Sequence, residues 1–171
     1  VIPAMIRKYH LARLAWEKDV SGIVTDVERY GQIPADICEA IGWLPEKSRL
    51  ADGVRPKVML WGSGSPYREF LHVDDMAEAC LYMMELEQSY FLPPNPSFVN
   101  VGTGKDITIR EVAEMIRQLV GFKGETLFNP DQPDGTMKKL LDTSRITGLG
   151  WTPRLGLKEG LGDAYLADKR A

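Results

Sequence analysis

Residues 61–75 read W-G-S-G-S-P-Y-R-E-F-L-H-V-D-D, and the rest of the chain is organised around this stretch. Trp61 offers a large flat apolar face. The Gly62-Ser63-Gly64-Ser65-Pro66 run that follows is a tight turn with little side-chain bulk, so a ligand can come close to its backbone. Arg68 then sets a permanent planar cation just past the turn, with a fork of donors that suits phosphate oxygens. Phe70, Leu71 and Val73 predict a short strand running into a helix that starts at Asp74-Asp75. A ring, a bare turn and an arginine are what a nucleotide diphosphate requires. The same residues also describe a hairpin with a buried Trp and a surface Arg.

Working outward, Lys57 to Trp61 is a short apolar strand, and Met76, Ala79, Cys80 and Met83 mark a core-facing stripe on the helix after Asp74. Ser97 to Val101 reads as a strand and Gly102-Thr103-Gly104-Lys105 as a plain turn, since neither phosphate-loop nor dinucleotide spacing is present. Thr108-Ile-Arg-Glu111 is a capping box, opening a helix whose apolar face is Ile109, Val112, Ala113, Ile116, Leu119 and Val120, with Gly121 as its stop. Glu125 to Phe128 is a strand. A polar loop from Asn129 to Lys139 contains the Asp134-Gly135 turn. There a carboxylate either accepts sugar hydroxyls or a base edge, or caps its own backbone. Leu140 to Asp142 is extended, Thr143 to Ile146 a brief helix, and Leu157 to Lys169 a last one.

Before the organising stretch, residues 1–18 predict an amphipathic helix with Ile2, Met5, Ile6 and Tyr9 on one face and Arg7, Lys8 and Arg13 on its basic side. Taken alone, Lys8 reads as a solvated lysine. Residues 19–56 lose the periodicity, and only Pro34 to Trp43 suggests a helix. So long a connection is expected to be an insertion, a lid or a mobile loop. Short strands alternating with helices give the fold class α/β.

The chain has 171 residues and a formal net charge of −3, which is one domain by length and gives no electrostatic case for nucleic acid or an anionic membrane. No apolar run approaches the roughly 18 residues of a membrane span. The two cysteines, Cys38 and Cys80, form neither a disulfide frame nor a metal site. A reducing, cytoplasmic setting fits them. The chain opens with Val1 and no basic leader, so it reads as a piece of a longer one.

Four blocks, V-I-P-A-M-I-R-K-Y-H, W-G-S-G-S-P-Y-R-E-F-L-H-V-D-D-M-A, V-N-V-G-T-G-K-D-I-T-I-R-E and P-D-G-T-M-K-K-L-L-D, together resemble the GDP-L-fucose synthase branch of the extended short-chain dehydrogenase/reductase (NAD-dependent epimerase/dehydratase) family. The R-E-F-x-H-V-D-D block marks the wider family, and the P-D-G block the branch. Residues 12–56 fall outside the match. The resemblance implies the C-terminal, nucleotide-sugar-binding portion of such an enzyme, its Rossmann half absent. It carries four substrate contacts onto this chain: Lys8, Trp61, Arg68 and Asp134. No catalytic, cofactor-binding or metal residue is carried over. The Tyr165–Lys169 spacing imitates a Y-x-x-x-K pair but stands far from the family's place for it, and His72 reads as a packed, hydrogen-bonded core residue.

The implied reaction converts GDP-4-keto-6-deoxy-D-mannose to GDP-L-fucose through epimerisation at C3 and C5 and reduction of the 4-keto group by NADPH. The catalytic Ser, Tyr, Lys and His and the NADPH site belong to the N-terminal domain in that family, so this chain alone is expected to be inactive and to bind no cofactor. Its implied partners are the GDP-sugar and its own Rossmann domain, with a homodimer for the complete enzyme. Its part is to hold the GDP handle while chemistry occurs elsewhere. Apolar surface around Ile2, Met5 and Val99 is expected to be bare and to promote self-association. The alternatives are another extended short-chain nucleotide-sugar epimerase or dehydratase, and a non-catalytic remnant serving as a binding module.

Overall fold

The computed structural model describes residues 1–170, with side chains as far as residue 167. Lys169, the second member of the Y-x-x-x-K spacing, therefore lies outside the described side chains. The elements are α1 (Ile2–Glu17), α2 (Val20–Tyr30), α3 (Ala35–Ile41), β1 (Trp43–Leu44), β2 (Arg49–Leu50), β3 (Lys57–Trp61), β4 (Tyr67–Glu69), α4 (Val73–Glu85), β5 (Asp106–Thr108), α5 (Ile109–Val120), β6 (Glu125–Asn129), β7 (Lys138–Lys139), α6 (Ser144–Gly148) and α7 (Leu157–Arg170). The class is mixed α/β, as the alternating pattern predicts.

The strands form three small sheets. β3 pairs in parallel with β6, from Lys57 opposite Glu125 to Trp61 opposite Asn129. β4 is the centre of a second sheet, antiparallel to β5 and parallel to β7. β1 and β2 form a short antiparallel pair. The hairpin reading of residues 61–75 therefore fails: β3 and β4 are consecutive but belong to different sheets. Burial alternates along β3, with Val58 and Leu60 inward, as a strand with one covered face requires. Those two residues join Tyr9, Leu11, Val112, Ile116 and Phe122 in the main core, which α1 and α5 cover.

α5 follows its sequence signals closely. The Thr108 hydroxyl accepts from the Glu111 amide, the Glu111 carboxylate accepts from the Thr108 amide, and Gly121 closes the helix at φ 79°. Leu119 alone of the expected apolar face is exposed.

Residues 19–56 are the main correction. They carry two helices and the β1–β2 pair in place of a mobile loop, and they bury Ile23, Ile33, Ile37, Ile41 and Trp43 in the main core. The sequence obscures α2 because a polar side chain, Asp26, fills one of its buried positions. Arg7 of α1 explains that aspartate. Its Nε and Nη2 donate to Asp26 Oδ1 at 3.0 and 2.7 Å, and Nη2 also donates to the Gly31 carbonyl.

The segment after β4 differs as well. Phe70–His72 is not a strand; β4 ends at Glu69, and His72 is the N-cap of α4, accepting from the Asp74 amide. Asp75 is almost fully buried and accepts from the amides of Arg154 and Leu155. The stripe on α4 is only partly inward. Ala79 is buried with Ile146 and Trp151 in a second core, whereas Cys80 and Met76 are exposed. Ser97–Val101 forms no strand. Met5 is buried, contrary to expectation, and the most exposed apolar side chains are Val1, Trp61, Val73, Leu81, Met84 and Phe98. No helix among the described residues is long and apolar enough to cross a membrane.

The Arg7–Asp26 pair should fasten α2 to α1. Asp26→Ala leaves the guanidinium without its carboxylate, and the expected loss is about 3 kcal/mol. A urea titration reads it as a lowered midpoint at unchanged slope.

Candidate functional site

The C-terminal ends of β3 and β6 lie side by side, and loops leave both at the same rim. Parallel strands commonly present ligand sites there, because the following loops converge outside the strand ends. The β3 end supplies Trp61 and the Gly62–Pro66 turn, while the β6 end supplies the loop holding Asp134.

Asp134 ties these loops together. Its Oδ1 accepts from the Ser63 amide at 2.6 Å and its Oδ2 from the Ser63 hydroxyl at 2.7 Å. It thus caps a neighbouring turn rather than its own backbone. These two bonds, chiefly the one from the Ser63 side chain, hold its carboxyl below the ordinary value of 3.8, with Arg68 adding a smaller effect in the same direction. Gly62 has φ 77°, and a Cβ there would lie 2.2 Å from Asp134 Oδ1. A bare residue is therefore required for the carboxylate to reach across. Arg110 adds a second clamp, donating to the Ser63 carbonyl with its guanidinium 4.0 Å from the Phe128 ring centroid.

Arg68 stands on the far side of the same loop. Its Nη1 donates to the carbonyls of Tyr67 and Thr136 at 2.6 and 2.7 Å, and its Nη2 lies 3.7 Å from where a Cβ on Gly135 would sit. The guanidinium is thus oriented by backbone and set beside the Asp134–Gly135 turn.

Trp61 is not buried: 66 % of its surface is exposed. It lines a cleft of about 570 Å³ with Lys8, Arg7, Tyr30, Pro34 and Asp36. Lys8 is not a freely solvated side chain. Its Nζ donates to the Met59 carbonyl at 3.0 Å and meets Asp36 Oδ2 at 3.3 Å. Lys8 and Trp61 share this cleft, while Arg68 and Asp134 do not line it. Of the four sequence-selected residues only Asp134 contacts Ser63, and the structure brings Lys8 and Trp61 together in one cleft without Arg68 or Asp134.

Ser63, Asp36 and Arg110 were not singled out in the sequence. Ser63 lay within the quoted turn, but nothing local marked it as the partner of a residue in another loop. Asp36 lies in the short Pro34–Trp43 helix signal, but its approach to Lys8 exists only after α3 packs on α1. Among the described residues no cluster of His, Cys, Asp and Glu could hold a metal ion.

The Gly102–Lys105 turn leaves no phosphate cradle open. At Gly102–Lys105, Glu69 Oε1 accepts from the Gly104 amide and the Thr103 hydroxyl, and its Oε2 accepts from the Leu141 amide. A carboxylate already occupies the donors that a phosphate would need. Tyr165, buried in the main core, lies with its hydroxyl 3.1 Å from His10 Nδ1. His72 is half-buried and spent on the α4 cap.

Comparison with known proteins agrees with this architecture. Residues 30–102 match the NAD dependent epimerase/dehydratase family. The chain is similar to the GDP-L-fucose synthase of Escherichia coli (strain K12), at 50 % identity over 113 residues, covering 64 % of this chain and 35 % of that enzyme. It is also similar to the putative GDP-L-fucose synthase 2 of Arabidopsis thaliana, at 48 % identity over 109 residues, covering 64 % of this chain and 31 % of the relative. The crystal structure of a GDP-6-OMe-4-keto-L-xylo-heptose reductase from C. jejuni superposes with a TM-score of 0.80 at 34 % identity, over 99 % of this chain and 47 % of that one. The chain thus spans about a third of the length of these curated relatives.

The loop contact should respond to acid. Because the folded pKa of Asp134 is depressed, the stabilisation is complete above the unfolded value and is lost as pH falls through the folded one, which lies below 3.8. The indole NMR signal of Trp61 should hold steady from neutral pH to pH about 5 and move only below that. Asp134→Asn should abolish the movement. Gly62→Ala, forced to positive φ and into the carboxylate, should cost about 1–3 kcal/mol in a denaturation experiment.

Proposed function

We propose that this chain is the nucleotide-sugar-binding part of an NADP-dependent epimerase/reductase, converting GDP-4-keto-6-deoxy-D-mannose to GDP-L-fucose. The observation that carries the proposal is the rim at the ends of β3 and β6. There a carboxylate with a depressed pKa holds the Ser63 turn that follows an exposed indole, and a guanidinium held by backbone carbonyls stands beside the Asp134–Gly135 turn. These features match the three parts of a nucleotide diphosphate sugar: a ring to stack, a charge to neutralise and hydroxyls to accept from. The relatives' names support the guanine nucleotide, since each specifies a GDP-linked sugar.

Each residue has a role in this proposal. Trp61 packs against the ligand, and Lys8, fixed by the Met59 carbonyl, supplies positive charge in the same cleft. Arg68 meets the diphosphate. Asp134 shapes the Ser63 turn and offers its remaining lone pairs to sugar hydroxyls. NADPH would supply the hydride in the complete enzyme. We assign none of its contacts to this chain, because Glu69 closes the glycine turn at 102–105. Acid/base catalysis for the epimerisations also falls to groups outside this chain. What this chain contributes is remote binding energy that orients the keto-sugar. Two free cysteines, Cys38 and Cys80, are compatible with a reducing, cytoplasmic setting. A homodimer of the complete enzyme is part of the same proposal.

A second reading is reduction of a different GDP-linked keto-sugar. It is favoured by the heptose reductase, whose likeness follows 99 % of this chain.

In the full-length enzyme, Arg68→Ala should lower kcat/KM for the GDP-keto-sugar by about 1.5–3 kcal/mol, the scale for losing a hydrogen bond to a charged group. Steady-state kinetics with GDP-4-keto-6-deoxy-D-mannose measures this. An unchanged kcat/KM refutes the role of Arg68, and a preference for a UDP-linked or heptosyl substrate refutes the named reaction.

A further inference from the structure

Resting on the GDP-sugar reading above, we infer that the cleft between α1, α3 and Trp61 is the purine subsite, and that Asp36 reads the guanine edge. Its volume of about 570 Å³ lies within the range of small-molecule sites. Its wall holds Trp61, with most of its ring surface in solvent. An exposed indole at the end of a rigid strand is a stacking platform for a base.

A stacking platform accepts any base, so discrimination must come from a polar group beside it. Asp36 is in the same cleft, and its carboxylate is half exposed, with 52 % of the side-chain surface accessible. Guanine carries two adjacent donors, N1–H and N2–H, on one edge. A carboxylate offers two acceptor oxygens at matching spacing. Adenine pairs one amino donor with an acceptor nitrogen, and uracil sets a single N–H between two carbonyls, so neither offers a carboxylate two adjacent donors.

The charges around Asp36 permit this. Its Oδ2 meets Lys8 Nζ at 3.3 Å, and a carboxylate has lone pairs enough for that contact and a base edge together. The other cation lining the cleft, Arg7, is committed to Asp26 and the Gly31 carbonyl. Asp36 is also well held, since the next residue, Ile37, and Ile41 on the same helix are in the main core. The specificity group therefore comes from residues 19–56, not from the four residues that the resemblance marks.

The test is calorimetric titration of the chain with GDP, IDP and UDP. IDP is the informative probe because it lacks only the 2-amino donor. The unaltered chain should bind GDP more tightly than IDP, and IDP more tightly than UDP. Asp36→Asn should weaken GDP about tenfold or more, the scale of a lost charge-assisted hydrogen bond, erase the preference for GDP over IDP and leave UDP unchanged. Lys8→Met should weaken all three alike, through the phosphates. A GDP-to-IDP ratio unchanged in Asp36→Asn overturns the assignment while the GDP-sugar reading stands. Equal weakening of all three nucleotides also overturns it, showing that Asp36 merely positions Lys8. If none binds the unaltered chain, the GDP-sugar reading falls and this inference with it. A thermal melt of each variant, expected within a few degrees of the parent, shows that the comparison is between folded proteins.

Discussion

The carboxylate of Asp134 on the Ser63 turn is the contact on which the candidate site depends. β3 and β6 are neighbours in space, but their paired residues, such as Trp61 and Asn129, are 68 positions apart, with the whole of β4, α4, β5 and α5 between them. Strand pairing brings the two ends together but does not fix the loops beyond them. One side chain accepting from both the amide and the hydroxyl of Ser63 does so. Its ionised state makes both bonds charge-assisted, and each is short accordingly. Arg68 is then oriented by the backbone just past Asp134, and Trp61 by the strand just before Gly62.

A second constraint acts from the other side of the cleft. Two adjacent basic residues on α1 divide the work: Arg7 holds Asp26 of α2, and Lys8 meets Asp36 of α3. The two cations are both largely shielded from water, but Asp26 is buried whereas Asp36 is half exposed. A shielded pair cannot lose one member cheaply, because the remaining charge is left without solvation. An exposed pair is weak and can be shared with a ligand. This contrast separates a structural fastening from a site residue within one turn of helix.

Apart from Val1 and Trp61, the most exposed apolar side chains are on α4 and at Phe98. Val73, Leu81 and Met84 are exposed positions along α4. They mark a face that these residues alone do not cover. The main core, by contrast, is continuous from α1 through β3 to α5 and α7. Residues 19–56 belong to that core and not to a detachable lid.

Local patterns in the sequence determined the elements whose causes are themselves local. The Thr108 capping box, the Gly121 stop, the alternating strand from Lys57 to Trp61 and the amphipathic α1 all read directly, because cap, turn and periodicity act within a few residues. The resemblance blocks selected Lys8, Trp61, Arg68 and Asp134 from residue identity alone. Tertiary structure decided what those residues touch. It turned Asp134 into the partner of a serine 71 positions away, left Trp61 outside the core, and separated β3 from β4. It also made a helix of residues 20–30, where the buried Asp26 breaks the apolar stripe unless Arg7 is already in place. The physical reason is the same in each case. A polar group can occupy an interior or a turn only when its partner is present, and that partner comes from a distant part of the chain, where no sequence window can see it.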